Sequence, residues 1–347
     1  MALSRLSCCR WLLLYEKEGA YRLAGGRHPS YQLSTNTKPK KLLSAISSRV
    51  KYMSEKYNRF LERKFPRFYI LYSTFIKGCQ LLFLDGKEVI RIKKKMAHQG
   101  LKFYQLPYRE MEKLRQFRRD IIKGAPVLLI AIPPFANYLV LVLMYFFPRQ
   151  FLIQHFWTDQ QQVEFFNVYH SNRAEAYPAV LSGLQQAVPR LQDQLLKEKM
   201  LQLCTEVQHG SHPAVAELES VSRAFSGPPL DLKHLKMHHM KALSRVLFLT
   251  PHLPTFLLRW RLWNHTFELH HLDKALLKLG VHELSDKELK NACYVRGLNS
   301  TQLSSAECKI WLTQWLQLSS RLKDSEASLL LFSLVLLSTN YIRSFRH

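Results

Sequence analysis

At 347 residues, 47% hydrophobic and 22% charged, the chain is long enough for two or three structural units and apolar enough to pack a core. Its net charge of +24 implies an anionic neighbour, either lipid head groups or RNA. Six cysteines without C-x-x-C spacing exclude a disulfide scaffold and point to a reducing compartment.

The charge is uneven. Residues 1–123 carry 28 Lys/Arg against 9 Asp/Glu, and the remainder carries 22 against 17. The start of the chain has Arg5, Arg10 and several serines, only WLLLY as an uninterrupted apolar run, and just Glu16 and Glu18 as acids before Glu55. That run is too short for a secretory signal, and the acid-poor pattern predicts a mitochondrial targeting segment over residues 1–35 rather than a plain basic arm.

Residues 36–123 form a basic pre-membrane region expected to be helical from about residue 42. Lys87, Arg91, Lys94 and Lys95 share one side of a helical wheel. Arg115, Arg118, Arg119 and Lys123 form a second basic face, which predicts either contact with an anionic lipid surface, such as a cardiolipin-containing one, or a solvated charge cluster that sets topology.

Residues 124–147, GAPVLLIAIPPFANYLVLVLMYFF, contain no formal charge. A bilayer core of ~30 Å needs about 20 apolar helical residues, so this stretch predicts one transmembrane segment. Pro133, Pro134 and Asn137 mark a kink in it. A sharper reading makes them a broken helix lining an ion path. No intramembrane charge supports that reading.

The rest, residues 159–347, predicts an all-α domain. Thr158 is the expected N-cap of the run DQQQVEFFNVYH, and Gly210 is the expected C′ residue of a segment starting near Pro189. Pro228, Pro229, Pro251 and Pro254 punctuate the next helices. Ser285 with Glu288, and Ser304 with Glu307, match the S-x-x-E capping box. A last helix is expected from about Ser325, and Leu289, Leu312, Trp315 and Leu316 form an expected apolar seam.

Enzyme signatures such as G-x-S-x-G, the P-loop, G-x-G-x-x-G and H-E-x-x-H do not occur, so no catalytic residue and no cofactor is assigned. His234, His238, His239, His270 and His271 have no Cys or carboxylate at ligand spacing, so no metal site is expected. The lack of a D-x-[DN]-x-[DN]-G loop excludes an EF-hand. Residues 284–298 could be a helix-turn-helix element, but balanced charge and no stacking aromatics argue for a packing unit over sequence-specific nucleic-acid binding.

The motifs GVHELSDKELKNACYVRGL at 280–298, WLTQWLQL at 311–318 and SLLL at 328–331 resemble the C-terminal part of the LETM family. YREME at 108–112 and FFPR at 146–149 resemble the segments bordering that family's membrane span. The likeness is to its short animal members, which lack the coiled coil and EF-hands. It implies a membrane helix followed by an all-helical ribosome-binding-like domain. It also implies an adaptor for the mitochondrial ribosome or assembly factors, supporting mitochondrial structure, respiratory-complex assembly and cation homeostasis. The alternative is a subunit of a mitochondrial cation/proton exchanger. Lys233, Lys236 and Arg296 are the expected exposed contacts to a ribosome. The resemblance places the protein in the inner membrane, single-pass, with the C-terminal domain in the matrix, the outer membrane being the alternative. Charge alone opposes that orientation. Residues 109–123 hold six Lys/Arg and residues 148–162 only Arg149, so the positive-inside rule would put the N-terminal flank in the matrix.

Overall fold

The computed structural model describes residues 66–131 and 153–341, with residues 59, 62–64 and 146. The expected targeting segment 1–35, and Pro133, Pro134 and Asn137, lie outside the described residues. Among the described residues all regular structure is helical. In chain order the α-helices are α1 (Pro66–Gln99), α2 (Tyr108–Ala131), α3 (Asp159–Ala174), α4 (Tyr177–Ala187), α5 (Gln194–Gln208), α6 (Val215–Ser220), α7 (Met237–Val246), α8 (Thr255–Leu279), α9 (Asp286–Val295), α10 (Ser305–Arg321) and α11 (Ser328–Leu336). Short 3-10 turns join several of them.

Local chemistry sets the helix ends. Thr158, Ser285 and Ser304 each accept a hydrogen bond from the backbone three residues on, and Gln161, Glu288 and Glu307 reach back to close the box. The segment expected from Pro189 begins instead at Gln194, where the Asp193 carboxylate accepts from the Leu195 and Leu196 amides. Gly210 and Gly280 end α5 and α8 at φ +100° and +91°. The pre-membrane region is broken between Gly100, at φ +61°, and Pro107, which separates α1 from α2. The last helix starts at Ser328, after a 3-10 turn at Asp324–Glu326.

The core forms around α11, whose residues are all buried; a helix that is apolar on every side must be enclosed. Trp311 and Trp315 of α10 stack at 5.7 Å beneath it, and the predicted seam of Leu289, Leu312, Trp315 and Leu316 is fully buried. Each such leucine contributes about 1.5–3 kcal/mol of transfer free energy. This core does not begin at residue 159. Ile92, Leu106, Tyr108 and Met111 belong to it, so α1 and α2 are structural parts of the domain.

Among the described residues no helix is long and apolar enough to cross a membrane. α2 carries residues 124–131 of the apolar stretch as the direct continuation of its polar part.

Candidate functional site

α2 lies against α8 and α9, and the side chains between them form a charged seam ending at the apolar stretch. Arg109 donates to Glu288 at 2.9 Å, Asn291 to Glu112 at 3.0 Å, and Arg118 to both Glu268 oxygens at 2.8 and 2.7 Å. Arg115 is buried and paired with Glu112 through two hydrogen bonds of 2.8 and 2.5 Å. Burial by itself would raise the Glu112 carboxyl, but the Arg115 charge and hydrogen bonds hold it below the usual carboxylate range. Burial and the Arg115 charge push the Arg119 guanidinium down to about 10, which leaves it a cation at neutral pH. Lys123 is half-buried, 3.2 Å from the Tyr169 hydroxyl and 4.7 Å from the centre of the Trp157 ring.

Arg115, Arg118, Arg119 and Lys123 therefore do not form the exposed lipid-contact face expected of them. Arg115 is buried in an ion pair, Arg119 and Lys123 are half-buried, and Arg118 is exposed but already occupied by Glu268. Glu268 lies 150 residues from Arg118, beyond the reach of any local pattern, whereas the partner of Arg115, Glu112, is only three residues away.

Arg296 is a second correction. It is 1% exposed and cannot be a surface contact. Its guanidinium pairs with Asp273 at 2.6 Å, and Trp315 and Ser319 donate to the other Asp273 oxygen at 3.0 and 2.6 Å. A carboxylate serving three donors in the core is a structural knot. Lys233 and Lys236 are exposed, as expected, on the segment leading into α7.

A second cluster sits at the apolar end of the seam. His155, just after the apolar stretch, contacts Asp85 of α1 at 2.8 Å and approaches Asp120 of α2 at 3.6 Å, while Lys113 pairs with Asp85 at 2.7 Å. Burial raises the Asp120 carboxyl to about 6. Nothing in the local sequence marks this cluster, which draws on three separate elements.

The helices that carry the knot and the α2 seam fall within the range of a known family unit. The family description "LETM1-like, RBD" matches residues 106–336. The match begins at the start of α2 and ends with α11, and so takes in most of the packed core but not the α1 residue Ile92. The chain belongs to the LETM1-like family. It is 61% identical to LETM1 domain-containing protein 1 of Xenopus tropicalis, over 100% of this chain and 99% of that protein. It is 49% identical to LETM1 domain-containing protein 1 of Homo sapiens, over 91% of this chain and 88% of that one. It is 26% identical to the mitochondrial proton/calcium exchanger protein of Drosophila melanogaster, over 76% of this chain but only 26% of that longer protein.

Within this LETM1-like unit the histidines are dispersed. His239 lies against Gly183 of α4, His270 is buried facing Asp324, and His234 is held by Asp231 at 2.7 Å. Among the described residues no group of three or more His, Cys, Asp or Glu could hold a metal ion.

Proposed function

We propose that the chain is a mitochondrial, membrane-anchored adaptor without catalytic activity, whose helical domain engages the mitochondrial ribosome or respiratory-complex assembly factors. In this reading residues 124–147 anchor it to the inner membrane, the domain faces the matrix, and cation homeostasis is a downstream effect. The observation that carries the proposal is the match of the packed helices α2 to α11 to the LETM1-like RBD description. The internal pairing of α2 supports it, because the basic charge left for a partner is elsewhere, at positions such as Lys233 and Lys236. The fly relative's name supports the mitochondrial location.

The test is cosedimentation of the detergent-solubilised full chain with mitochondrial ribosomes across a salt series. Binding should fall only gently with salt, since few phosphates would be neutralised. Lys233→Glu with Lys236→Glu should weaken it, with circular dichroism unchanged. A folded chain that stays in the supernatant at low salt sinks the proposal.

The exchanger reading keeps one supporting observation, the Asp85–His155–Asp120 cluster beside the apolar stretch. A carboxyl poised near neutral pH can exchange a proton. Proton-coupled cation flux into proteoliposomes that Asp120→Asn abolishes would favour it over the adaptor.

A further inference from the structure

The expected single crossing would put residues 66–123 and residues 153–341 on opposite faces of the membrane. The contacts between these segments are many. Besides the α2 seam, His155 binds Asp85, and a Cβ built on Gly78 of α1 would run into the Phe156 ring. The decisive pair is Gly124, the first residue of the apolar stretch, and Ile153, six residues past its end. A Cβ on Gly124 stands 3.9 Å from Cγ2 of Ile153, which is buried there. One crossing would separate these positions by ~30 Å of hydrocarbon. Two full crossings would need about 40 apolar residues, and the stretch has 24.

The direction of α2 shows which face of the domain meets the lipid. Tyr104, before α2, packs on His271 at 5.5 Å, whereas Arg118, further along, holds Glu268, and the Arg119 charge bears on His265. α2 and α8 therefore run antiparallel, and the first turns of α8 lie towards the apolar end of α2. Those turns present Phe256, Trp260 and Trp263, which are 69%, 62% and 45% exposed, and α2 presents Ile122 at 68%. The spacing of four and then three residues puts the three rings on one stripe. Trp side chains favour the boundary between hydrocarbon and head groups, where an apolar ring and a polar N–H are both accommodated.

We propose that residues 66–123 and 153–341 occupy the same side of the membrane and that the Phe256–Trp260–Trp263 stripe rests at the lipid interface. This rests on the anchoring proposed above and replaces the single crossing. It also removes the conflict over orientation, because the basic flank and the helical domain no longer have to be on opposite sides.

The test uses the full chain in mitochondria, carrying Lys87→Cys or Lys233→Cys, both at exposed positions. Mass-tagging by a membrane-impermeant maleimide is compared with the unsubstituted chain before and after selective opening of each membrane. The two cysteines should become reactive at the same step. Reaction at different steps, in a chain that carbonate fails to extract, overturns the same-side placement and leaves anchoring intact. Extraction by carbonate overturns anchoring itself. For the stripe, the purified full chain is reconstituted in vesicles of brominated phosphatidylcholine. Quenching of tryptophan emission should largely disappear in Trp260→Phe with Trp263→Phe, while quenching that persists unchanged overturns the interfacial seat.

Discussion

α1 and α2 carry the same kind of basic face in sequence and use it in opposite ways. On α1, Lys87, Arg91 and Lys94 are exposed, and Arg91 has only its neighbour Glu88 at 3.7 Å. On α2, Arg115 is buried, Arg118 is clamped by Glu268, and Lys123 leans on aromatic rings. Lys95 shows the border between the two regimes, since it faces α2 and pairs with Glu110 at 2.9 Å. The lesson is that a cation's role is set by the acids the fold brings to it. Of these two faces, the one on α1 remains free to meet an anionic surface.

The comparison can be broken most severely from the acidic side. Glu112→Ala leaves Arg115 charged and buried without its partner, and Asp273→Ala does the same to Arg296. Each should cost ~3–5 kcal/mol, read as a lowered urea midpoint. A loss below about 1 kcal/mol would show that these cations are solvated after all.

Acid should act next. Burial lowers the proton affinity of His239, to about 4, and also that of His265 and His270; at His265 the charges of Arg119, Arg115 and Arg118 add to it. Above about 6.5 these rings are neutral folded or unfolded, so pH has no leverage through them. Below it the unfolded chain takes up protons that the folded chain refuses, and stability falls towards pH 4. The slope is about 1.4 kcal/mol per pH unit for each ring. His265→Gln should flatten that slope in an unfolding series from pH 7 to 4.5. An unchanged slope would mean that His265 protonates in place.

A smaller effect is expected at Arg118, whose side chain is exposed. Arg118→Ala should cost at most about 1 kcal/mol, and Glu268→Arg with Arg118→Glu should recover part of it in thermal melts. The smallest change in stability belongs to α1. Lys87→Glu, Arg91→Glu and Lys94→Glu together should stay within roughly 1 kcal/mol of the parent chain. The same change should weaken its binding to anionic vesicles in a salt-sensitive manner. Equal vesicle binding would return that face to plain solvation.

What could be read from sequence follows the range of each interaction. The caps at Thr158, Ser285 and Ser304 were legible because donor and acceptor lie three residues apart. The buried seam of Leu289, Leu312 and Trp315 was legible because helical period alone reveals an apolar face. Arg296 misled because its partner Asp273 sits 23 residues upstream, on another helix. Next to a glycine helix stop, an arginine looks like a surface residue. The Asp85–His155–Asp120 cluster was illegible for the same reason, with three elements and no shared motif. The break between α1 and α2 was signalled by Gly100 and Pro107, yet the continuous run of basic residues hid it.

α2 is one uninterrupted helix of 24 residues, ~36 Å long, whose first turns are clamped into the domain and whose last turns are apolar. In mechanical terms it is a beam built into a wall, with no rope between wall and water. A domain on a flexible tether samples every height and angle above its anchor. On the anchoring proposed above, a domain on such a beam would hold a set height and a set angle, and a partner gripped by it would be presented to the lipid in a fixed pose. A tilt imposed on the apolar end, for instance by a change in bilayer thickness, must then be felt at Arg118 and Glu268.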